Sequence, residues 1–373
     1  MKILLTILFL LNSASLFSQK KKTLNTKSKF EHQLEFNFKG AFILPHSGAV
    51  KAIMNGTTPI FEFGAEFPNL GNGDFHSDFP LNSWGIIFNY APLTNKEILG
   101  FSFGLMPYLN INLRRYKESR WNARLGSGIG FIQRPFNNIK NPKNMIIGSY
   151  LNNITDLSLQ YKVFLSKMIS CKLGIGLQHF SNGAYIRPNL GINLPYLSLS
   201  IKKDYKKMIP EKLKKDSTNE INGFFISSIY GSKTLELAAT KRYHVIQLSG
   251  GYSFGFKRGK SLHLQTDIIF DESTPFLKDY EFKLTPYSKW ILGLFVTYEK
   301  KYGQVGFLIG SGHYIYSPYE TFNQDWSYAN KGGNFYNRVG IKYYLTKTIN
   351  FQISIRTHSG EADNAEFGIG YKF

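Results

Sequence analysis

The sequence predicts an all-β protein, an antiparallel transmembrane β-barrel whose eight-stranded unit is duplicated. First, short segments of alternating apolar and polar residues recur between turn-forming residues along the chain. Second, aromatic residues and glycine are abundant, with 32 Phe, 23 Tyr and 34 Gly. Third, beyond the N-terminus no stretch approaches the roughly 20 consecutive apolar residues of a transmembrane helix. A secreted β-sandwich or a soluble β-barrel is the alternative.

The N-terminus has the pattern of an export signal. Lys2 precedes the apolar run Ile3–Leu11, and small and polar residues follow. Because the run is too short to cross a bilayer as a helix, this order predicts a cleaved signal peptide over residues 1–18. No cysteine follows it directly, which argues against a lipid-anchored mature end. The basic residues 19–31 are expected to be disordered, and export combined with the barrel pattern predicts the outer membrane.

The first half of the chain contains eight predicted strands. Their ranges are Gln33–Ile43, Pro59–Phe67, Ser83–Tyr90, Ile98–Leu113, Ala123–Ile132, Thr155–Leu165, Ser170–Phe180 and Leu194–Lys202. Eight strands make the smallest usual outer-membrane barrel, whose narrow interior is filled by side chains. Gly174 and Gly176 fall on the polar, inward face of their strand, which fits such a crowded interior.

A basic tract separates the two halves. Lys202–Lys215 is rich in lysine and lacks a strand pattern, so residues 203–220 are predicted to be a solvated basic linker. A surface for anionic lipid headgroups is the alternative. Eight more strands follow, at Gly223–Tyr230, Val245–Phe256, Ser261–Phe270, Lys289–Tyr298, Gln304–Tyr316, Phe335–Leu345, Asn350–Thr357 and Asn364–Phe373. The last of them ends in an aromatic residue and resembles the closing strand of outer-membrane barrels.

The two halves resemble each other. Lys162–Ser170 aligns with Lys342–Asn350 position by position, without a gap. This similarity predicts a duplicated β-barrel repeat, with one copy in residues 32–202 and a second in residues 221–373. Two tandem barrels or one larger barrel could both result. The long basic connector favours two units, because neighbouring strands of a single barrel would need only a short turn.

Three polar side chains interrupt an apolar strand face in the first half. The apolar residues of 173–177 share one face, and the period of two carries His179 and Ser181 onto it. In the next strand, Asn193 shares parity with the apolar residues of 197–201. A soluble core rarely gathers three such side chains, whereas ester hydrolysis needs a nucleophile, a base and donors for the oxyanion. His179 and Ser181 lie roughly 6.5–7 Å apart along the strand, so they would meet only by leaning together or through a local bulge.

The residues around this triplet resemble the motif of the lipid A 3-O-deacylases, a family grouped with the acyloxyacyl hydrolases. The motif residues are His179, Phe180, Ser181, Asn182, Asn189, Gly191 and Asn193. The resemblance extends over roughly Lys39–Lys202 and implies an eight-stranded barrel with its catalytic groups on the outer, membrane-facing surface. It implies that Ser181 is the nucleophile and His179 its general base. Asn182 and Asn189 match positions associated with the oxyanion site or its support.

One position departs from the family pattern. The third member of the triad is usually Glu, and this chain has Asn193 there. An amide oxygen can accept the imidazole N–H and fix its tautomer, but it offers no full negative charge to the imidazolium that forms. No Asp or Glu occurs between Asp156 and Asp204 to replace it. The departure predicts weakened catalysis, or its loss.

The second half holds a less convincing counterpart of the site. The ungapped alignment places His358 opposite Gln178 and Ser359 opposite His179, so the histidine moves to the polar face. The polar residues there are His358, Ser359, Glu361, Asp363 and Glu366. Loop and lumen lining are the expected roles of this group, and the first half is predicted to carry the site.

Net charge and composition indicate which classes of binding partner and cofactor to expect. The formal net charge of +20 predicts an acidic surface partner, and the phosphates of lipopolysaccharide fit it, beside outer-membrane lipids and the barrel assembly machinery. Nucleic acid is not expected, because the chain is exported and has no recognisable binding module. No cofactor or metal is expected, and Cys171, the single cysteine, excludes an internal disulfide.

The predicted function is therefore that of an outer-membrane serine esterase that removes an acyl chain from the lipid A of lipopolysaccharide. A non-enzymatic channel or structural barrel that retains a degenerate motif is one alternative. A relative that acts on phospholipids is the other.

Overall fold

The computed structural model describes residues 33–373, apart from 55, 69–82, 114–118, 167, 204–221, 236, 238–240, 258, 277–286, 303, 319–333 and 359–360. The predicted signal peptide, the basic segment after it and the linker from residue 204 lie outside the described residues. Among those described, no helix is long and apolar enough to cross a membrane.

The first barrel is closed by eight antiparallel strands. They are β1 (Gln33–Phe42), β2 (Thr57–Pro68), β3 (Ser83–Pro92), β4 (Phe101–Asn112), β5 (Trp121–Ile132), β6 (Leu151–Phe164), β7 (Ile169–Ser181) and β8 (Ile192–Lys203). Each strand pairs with its neighbour in the chain, and β8 pairs with β1 to close the sheet. One short helix, α1 (Gly48–Ile53), lies between β1 and β2.

The second barrel repeats this topology. Its strands are β9 (Gly223–Lys233), β10 (Tyr243–Phe256), β11 (Lys260–Asp271), β12 (Trp290–Tyr302), β13 (Val305–Tyr316), β14 (Phe335–Tyr344), β15 (Ile349–His358) and β16 (Glu361–Lys372). A single 3₁₀ turn, Thr274–Phe276, follows β11. Since β16 pairs with β9, the sheet closes on itself, and the fold class is confirmed as two tandem eight-stranded barrels rather than one larger barrel.

Three strand starts, those of β4, β6 and β16, differ from the sequence prediction by three or more residues. The predicted strand from Ile98 begins only at Phe101, because the amides of Ile98 and Leu99 donate to the carbonyl of Asn95 and form a turn. Conversely, β6 begins four residues early, at Leu151, where asparagines continue the ladder with β5. Ladder pairing extends the strand there although asparagine is a poor strand former.

The strands alternate between an exposed apolar face and a buried polar one. In β1, Phe36 and Phe38 are exposed, whereas Glu35, Asn37 and Lys39 are buried. The same alternation recurs in β3, where every second residue is buried. A barrel that is apolar outside and polar inside has lipid as its surrounding solvent.

Buried ion pairs fill the interior of the first barrel. The Lys39 ammonium lies 2.7 Å from Glu62 and 2.6 Å from Asp156. Farther along the barrel, Arg124 pairs with Glu35 at 2.7 Å. Glu66 lies 2.6 Å from Lys202 in the same region. Charges this deeply buried are tolerated only because each has an oppositely charged partner.

An apolar cluster closes the same barrel at the end where the β7–β8 loop lies. Phe180, Ile154 and Ile192 are fully buried in it, and Val50 and Ile53 of α1 cover it. Ser47 begins α1 by accepting a hydrogen bond from the Val50 amide. Phe180 therefore anchors the end of β7 from the inside, between two residues whose side chains point outward.

We expect Lys39→Met to lower the free energy of unfolding by about 3–5 kcal/mol, because it leaves two buried carboxylates without their cation. Denaturant unfolding of protein folded in detergent micelles measures this. Lys51→Met, which removes an exposed lysine from α1, is the matched control and should change stability by less than about 0.5 kcal/mol. Equal effects of the two substitutions would contradict the ion-pair account of the interior.

Candidate active site

The predicted site residues lie together on the outer wall of the first barrel, at one end. His179 and Ser181 have the strand parity of the exposed residues of β7, but His179 is only partly exposed and Ser181 is buried, with 7% of its surface exposed. The β7–β8 ladder pairs His179 directly with Asn193. Below them on the same face, Leu173, Ile175 and Leu177 are 55%, 60% and 41% exposed. The three polar side chains therefore continue the parity of this exposed apolar face at its end, where the serine is covered by the protein.

The imidazole of His179 is held by Asn193. Its Nδ1 lies 2.6 Å from the Asn193 side-chain oxygen Oδ1. An amide oxygen can only accept a hydrogen bond, so Nδ1 carries the proton and Nε2 is left with a free lone pair. This is the tautomer that a general base needs, and Asn193 fixes it without a carboxylate.

The hydroxyl of Ser181 faces the β7–β8 loop, residues 182–191, here called the catalytic loop. The side-chain nitrogen of Asn189 lies 3.0 Å from Ser181 Oγ, and the backbone nitrogen of Gly183 lies 3.1 Å from it. Both groups are N–H donors aimed at the region of the hydroxyl, as donors for an oxyanion would be. The described hydrogen bonds of Ser181 do not include one to His179.

His179 and Ser181 thus lie near each other on β7, as expected, but no hydrogen bond between them is described. The β6–β7 ladder runs to Ser181 without a bulge, so the bulge considered from the sequence does not occur. The structure brings His179 to Asn193 and Ser181 to Asn189, as two adjacent pairs on one wall.

Asn182 braces the catalytic loop rather than facing Ser181. Its side-chain nitrogen donates to the Ser149 hydroxyl and to the Ile186 carbonyl, both at 2.8 Å. Its backbone N–H donates to Asn189 Oδ1 at 2.9 Å, and both the nitrogen and the oxygen of the Asn189 amide lie within hydrogen-bond distance of Ser181 Oγ, at 3.0 Å and 3.2 Å. Of the two predicted oxyanion or support residues, Asn189 is placed as a donor and Asn182 as support.

Backbone conformation positions the donors. Gly183 and Ala184 have φ angles of 63° and 61°, in the left-handed region that glycine favours and alanine rarely adopts. Gly191 has a φ of 77°, and a Cβ there would lie 2.7 Å from Cε1 of His179. The loop therefore passes so close to the imidazole that only glycine fits at residue 191.

Sequence reasoning missed His46, which lies next to Asn193. Its Nδ1 is 3.3 Å from the Asn193 side-chain nitrogen and 3.0 Å from the Leu44 carbonyl, and its Nε2 is 3.0 Å from the Leu190 carbonyl. It thereby ties the β1–β2 loop to the catalytic loop. A lone histidine in a loop carries no sequence signal of such a role.

A polar group on neighbouring strands was also missed. Asn153 is the cross-strand partner of Ser181, and Thr155 is that of His179. The Asn153 side chain donates to the Ser127 hydroxyl at 2.9 Å and accepts from Thr155 at 2.6 Å. The signal was present, because Thr155 shares parity with the outward residue Leu157.

In the second barrel, most of the polar residues noted between His358 and Glu366 are buried or partly buried and bonded to one another or to neighbouring strands. His358 Nε2 lies 2.7 Å from the Tyr314 hydroxyl, and Asp363 pairs with Lys233 at 2.8 Å and with Arg356 at 2.6 Å. Glu366 is a buried partner of Arg338, whereas Glu361 is exposed and Ser359 lies outside the described residues. Among the described residues, no group of three His, Cys, Asp or Glu side chains is placed to hold a metal ion.

Comparisons with known families match both halves of the chain. Residues 56–202 match the family model described as lipid A 3-O-deacylase (PagL). Residues 220–373 match the model described as acyloxyacyl hydrolase, C-terminal domain. No curated protein matches the sequence.

Several solved structures are also similar to this chain. OccAB4 of Acinetobacter baumannii is 11% identical, with a TM-score of 0.22, over 94% of this chain and 100% of the other. The siderophore receptor PirA of Pseudomonas aeruginosa is 8% identical, with a TM-score of 0.22, over 93% and 81%. OmpF of Salmonella typhi, solved with daunomycin, is 10% identical, with a TM-score of 0.17, over 92% and 97%. TM-scores this low carry no argument about the present chain.

The close approach at Gly191 can be separated from its backbone strain. Gly191→Ala and Gly56→Ala both place a side chain at a positive φ, which costs about 1–2 kcal/mol, but a Cβ at Gly56 meets nothing within 4 Å. We expect Gly191→Ala to lower the free energy of unfolding further than Gly56→Ala, because the new methyl group displaces the His179 ring from Asn193. Denaturant unfolding measures the stability of both variants. Equal decreases in the free energy of unfolding would mean that the His179 ring can accommodate the methyl group without being displaced.

Proposed function

The chain belongs to the lipid A 3-O-deacylase family, and from this premise we propose that it is an outer-membrane serine esterase that removes an acyl chain from the lipid A of lipopolysaccharide. The observation that carries the proposal is that His179, Ser181 and Asn193 lie together and share the parity of an exposed apolar strand face, with two N–H donors beside the serine. Tandem closed barrels with apolar outer walls support an outer-membrane location.

In the proposed reaction, Ser181 Oγ attacks the ester carbonyl carbon while its proton moves to His179 Nε2. The carbonyl oxygen becomes an oxyanion, which the N–H groups of Asn189 and Gly183 stabilise. Collapse of this intermediate breaks the bond to the alkoxy oxygen, which leaves with the proton from His179 as an alcohol. A water molecule then hydrolyses the acyl-serine in the same way and releases the fatty acid.

For Ser181 to react, substrate binding must first free its hydroxyl from the hydrogen bonds that it makes in this structure. At rest, the hydroxyl occupies the donors of Asn189 and Gly183. An incoming carbonyl oxygen would take over these donors and release the hydroxyl towards His179. In this proposal, therefore, a productive serine–histidine hydrogen bond forms together with the substrate complex.

The wall below the site suits an acyl chain. The exposed side chains of Leu173, Ile175 and Leu177 continue from His179 down the outer face of β7. An acyl chain that stays within the bilayer can lie along them while its ester reaches Ser181. Because the chain never leaves an apolar medium, no acyl-binding pocket inside the protein is required.

The remaining parts of the proposal concern export and assembly. We propose that residues 1–18 are a cleaved signal peptide and that residues 203–220 connect two barrel domains, residues 32–202 and 221–373. Insertion of such barrels would involve the barrel assembly machinery. A channel function is less well supported, because buried ion pairs cross the described interior of each barrel.

Expression in a lipopolysaccharide-bearing host tests the activity. Wild-type protein should produce a lipid A species lighter by one acyl chain, detected by mass spectrometry, and Ser181→Ala and the empty vector should not. Ser170→Ala is the matched control, since it removes a buried hydroxyl of the same strand that has no hydrogen-bond partner among the described residues. Identical lipid A profiles for wild type, Ser181→Ala and the vector would refute the proposed function.

The role of Asn193 is tested by restoring a carboxylate. A hydrogen bond to a charged acceptor is about 1.4 kcal/mol stronger than one to a neutral amide, which corresponds to about tenfold in rate. We therefore expect Asn193→Glu to raise kcat by about tenfold and Asn193→Leu to lower it, measured as fatty acid release from purified lipid A. A slower Asn193→Glu enzyme combined with an unchanged Asn193→Leu enzyme would show that residue 193 does not orient the base.

A further inference from the structure

The catalytic loop is held from two sides. On the first-barrel side, the Leu190 amide donates to the Ile146 carbonyl at 2.9 Å, and Asn189 forms a β-bridge with Ile147. On its other side, the loop contacts the second barrel, at the residue that follows β9, the residue that precedes β10 and a residue of β16. The residues of the loop that make these contacts are 183, 185 and 187.

Arg242 of the second barrel stacks on the ring of Tyr185 and donates a hydrogen bond to its carbonyl. Its guanidinium lies 3.6 Å from the centre of the Tyr185 ring, and its Nη1 donates to the Tyr185 carbonyl at 3.3 Å. The same Nη1 lies 3.4 Å from the Ser232 hydroxyl of β9, which fixes the arginine to its own barrel. Arginine combines stacking and hydrogen bonding in this way because its guanidinium is planar and carries several donors.

Thr234 and Ala365 complete the contact. The Thr234 hydroxyl accepts the backbone N–H of Arg187 at 3.1 Å, and Thr234 is only 1% exposed. A Cβ at Gly183 would lie 3.1 Å from the Ala365 Cβ, so the loop backbone packs directly on β16. Gly183 is also the residue whose N–H points at Ser181, so the second barrel reaches the loop at one of its two donors.

We propose that Arg242 and Thr234 of the second barrel are positioning residues that clamp the catalytic loop and hold the Gly183 and Asn189 donors at Ser181. The catalytic consequence rests on the proposed function, whereas the clamp itself does not. The second barrel then has a defined role: it supplies no reacting group and instead fixes the loop of its neighbour. A donor misplaced by about 1 Å can cost roughly 100-fold in rate, so a clamp of this kind matters for turnover.

The test uses the full-length protein in detergent micelles with two matched comparisons. Thr234→Val removes the acceptor without a change of shape, and Thr234→Ser retains it. Arg242→Ala removes the grip on Tyr185, and Lys241→Ala removes the neighbouring cation, which lies 4.2 Å over the Phe276 ring within the second barrel. Hydrogen exchange of segment 182–191 reports on the clamp, and kcat and KM for lipid A report on its consequence.

The expected result is faster exchange of the segment in Thr234→Val and Arg242→Ala, with kcat lowered by about 10-fold to 100-fold, KM little changed and overall unfolding unaffected. Thr234→Ser and Lys241→Ala should resemble wild type in both measurements. Unchanged exchange in Thr234→Val and Arg242→Ala would overturn the clamp. Faster exchange with unchanged kcat would overturn its positioning role, and an inactive wild type would refute the proposed function while exchange still decides the clamp.

Discussion

The alternation of side chains across a closed antiparallel wall is the constraint on which this structure depends. Once each sheet closes, every residue of a strand faces either lipid or a narrow interior, and neighbouring residues face opposite sides. A polar residue on the lipid side then has no water to hydrogen-bond and must find a protein partner or a substrate. His179, Ser181 and Asn193 have the parity of the lipid side, and each has a hydrogen-bond partner within the protein.

The interior makes this wall rigid. Buried ion pairs such as Lys39 with Asp156 and Arg124 with Glu35 cross the first barrel and fix its strands relative to one another. At the site end, Phe180 packs inward in the apolar cluster, so the backbone between His179 and Ser181 is anchored. His179 and Ser181 thus lie at an anchored strand end, and in the proposed reaction only the hydroxyl of Ser181 has to turn.

Much of the fold could be predicted from the sequence, because lipid outside and a crowded interior impose a strict period of two. All sixteen strands overlap the segments where alternation places them, and the parity of His179, Ser181 and Asn193 follows from the same period. The pairing of Asn193 with His179 also follows, once β7 and β8 are neighbours. Local pattern was sufficient wherever the feature depended on strand geometry alone.

What could not be predicted depends on loops and on contacts between distant segments. His46 reaches Asn193 across 147 positions of sequence, and Arg242 meets Tyr185 across the boundary between the barrels. The alternation of apolar and polar residues along the strands carries no information about contacts between residues so far apart in the sequence. The missing bulge between His179 and Ser181 has the same origin: whether two side chains lean together is decided by the loop donors that hold the serine, rather than by spacing along the strand.

The proposed chemistry requires that the face of β7 that carries Leu177 and His179 is turned towards lipid. This orientation is tested most directly by a nitroxide spin label at Leu177→Cys in a Cys171→Ser background, with the protein in lipid vesicles. The account predicts that lipid-soluble oxygen relaxes the label strongly and that a water-soluble nickel chelate does not, because residue 177 faces the acyl chains just below His179. A label that both reagents fail to reach would place this face in a packed interior and contradict the account.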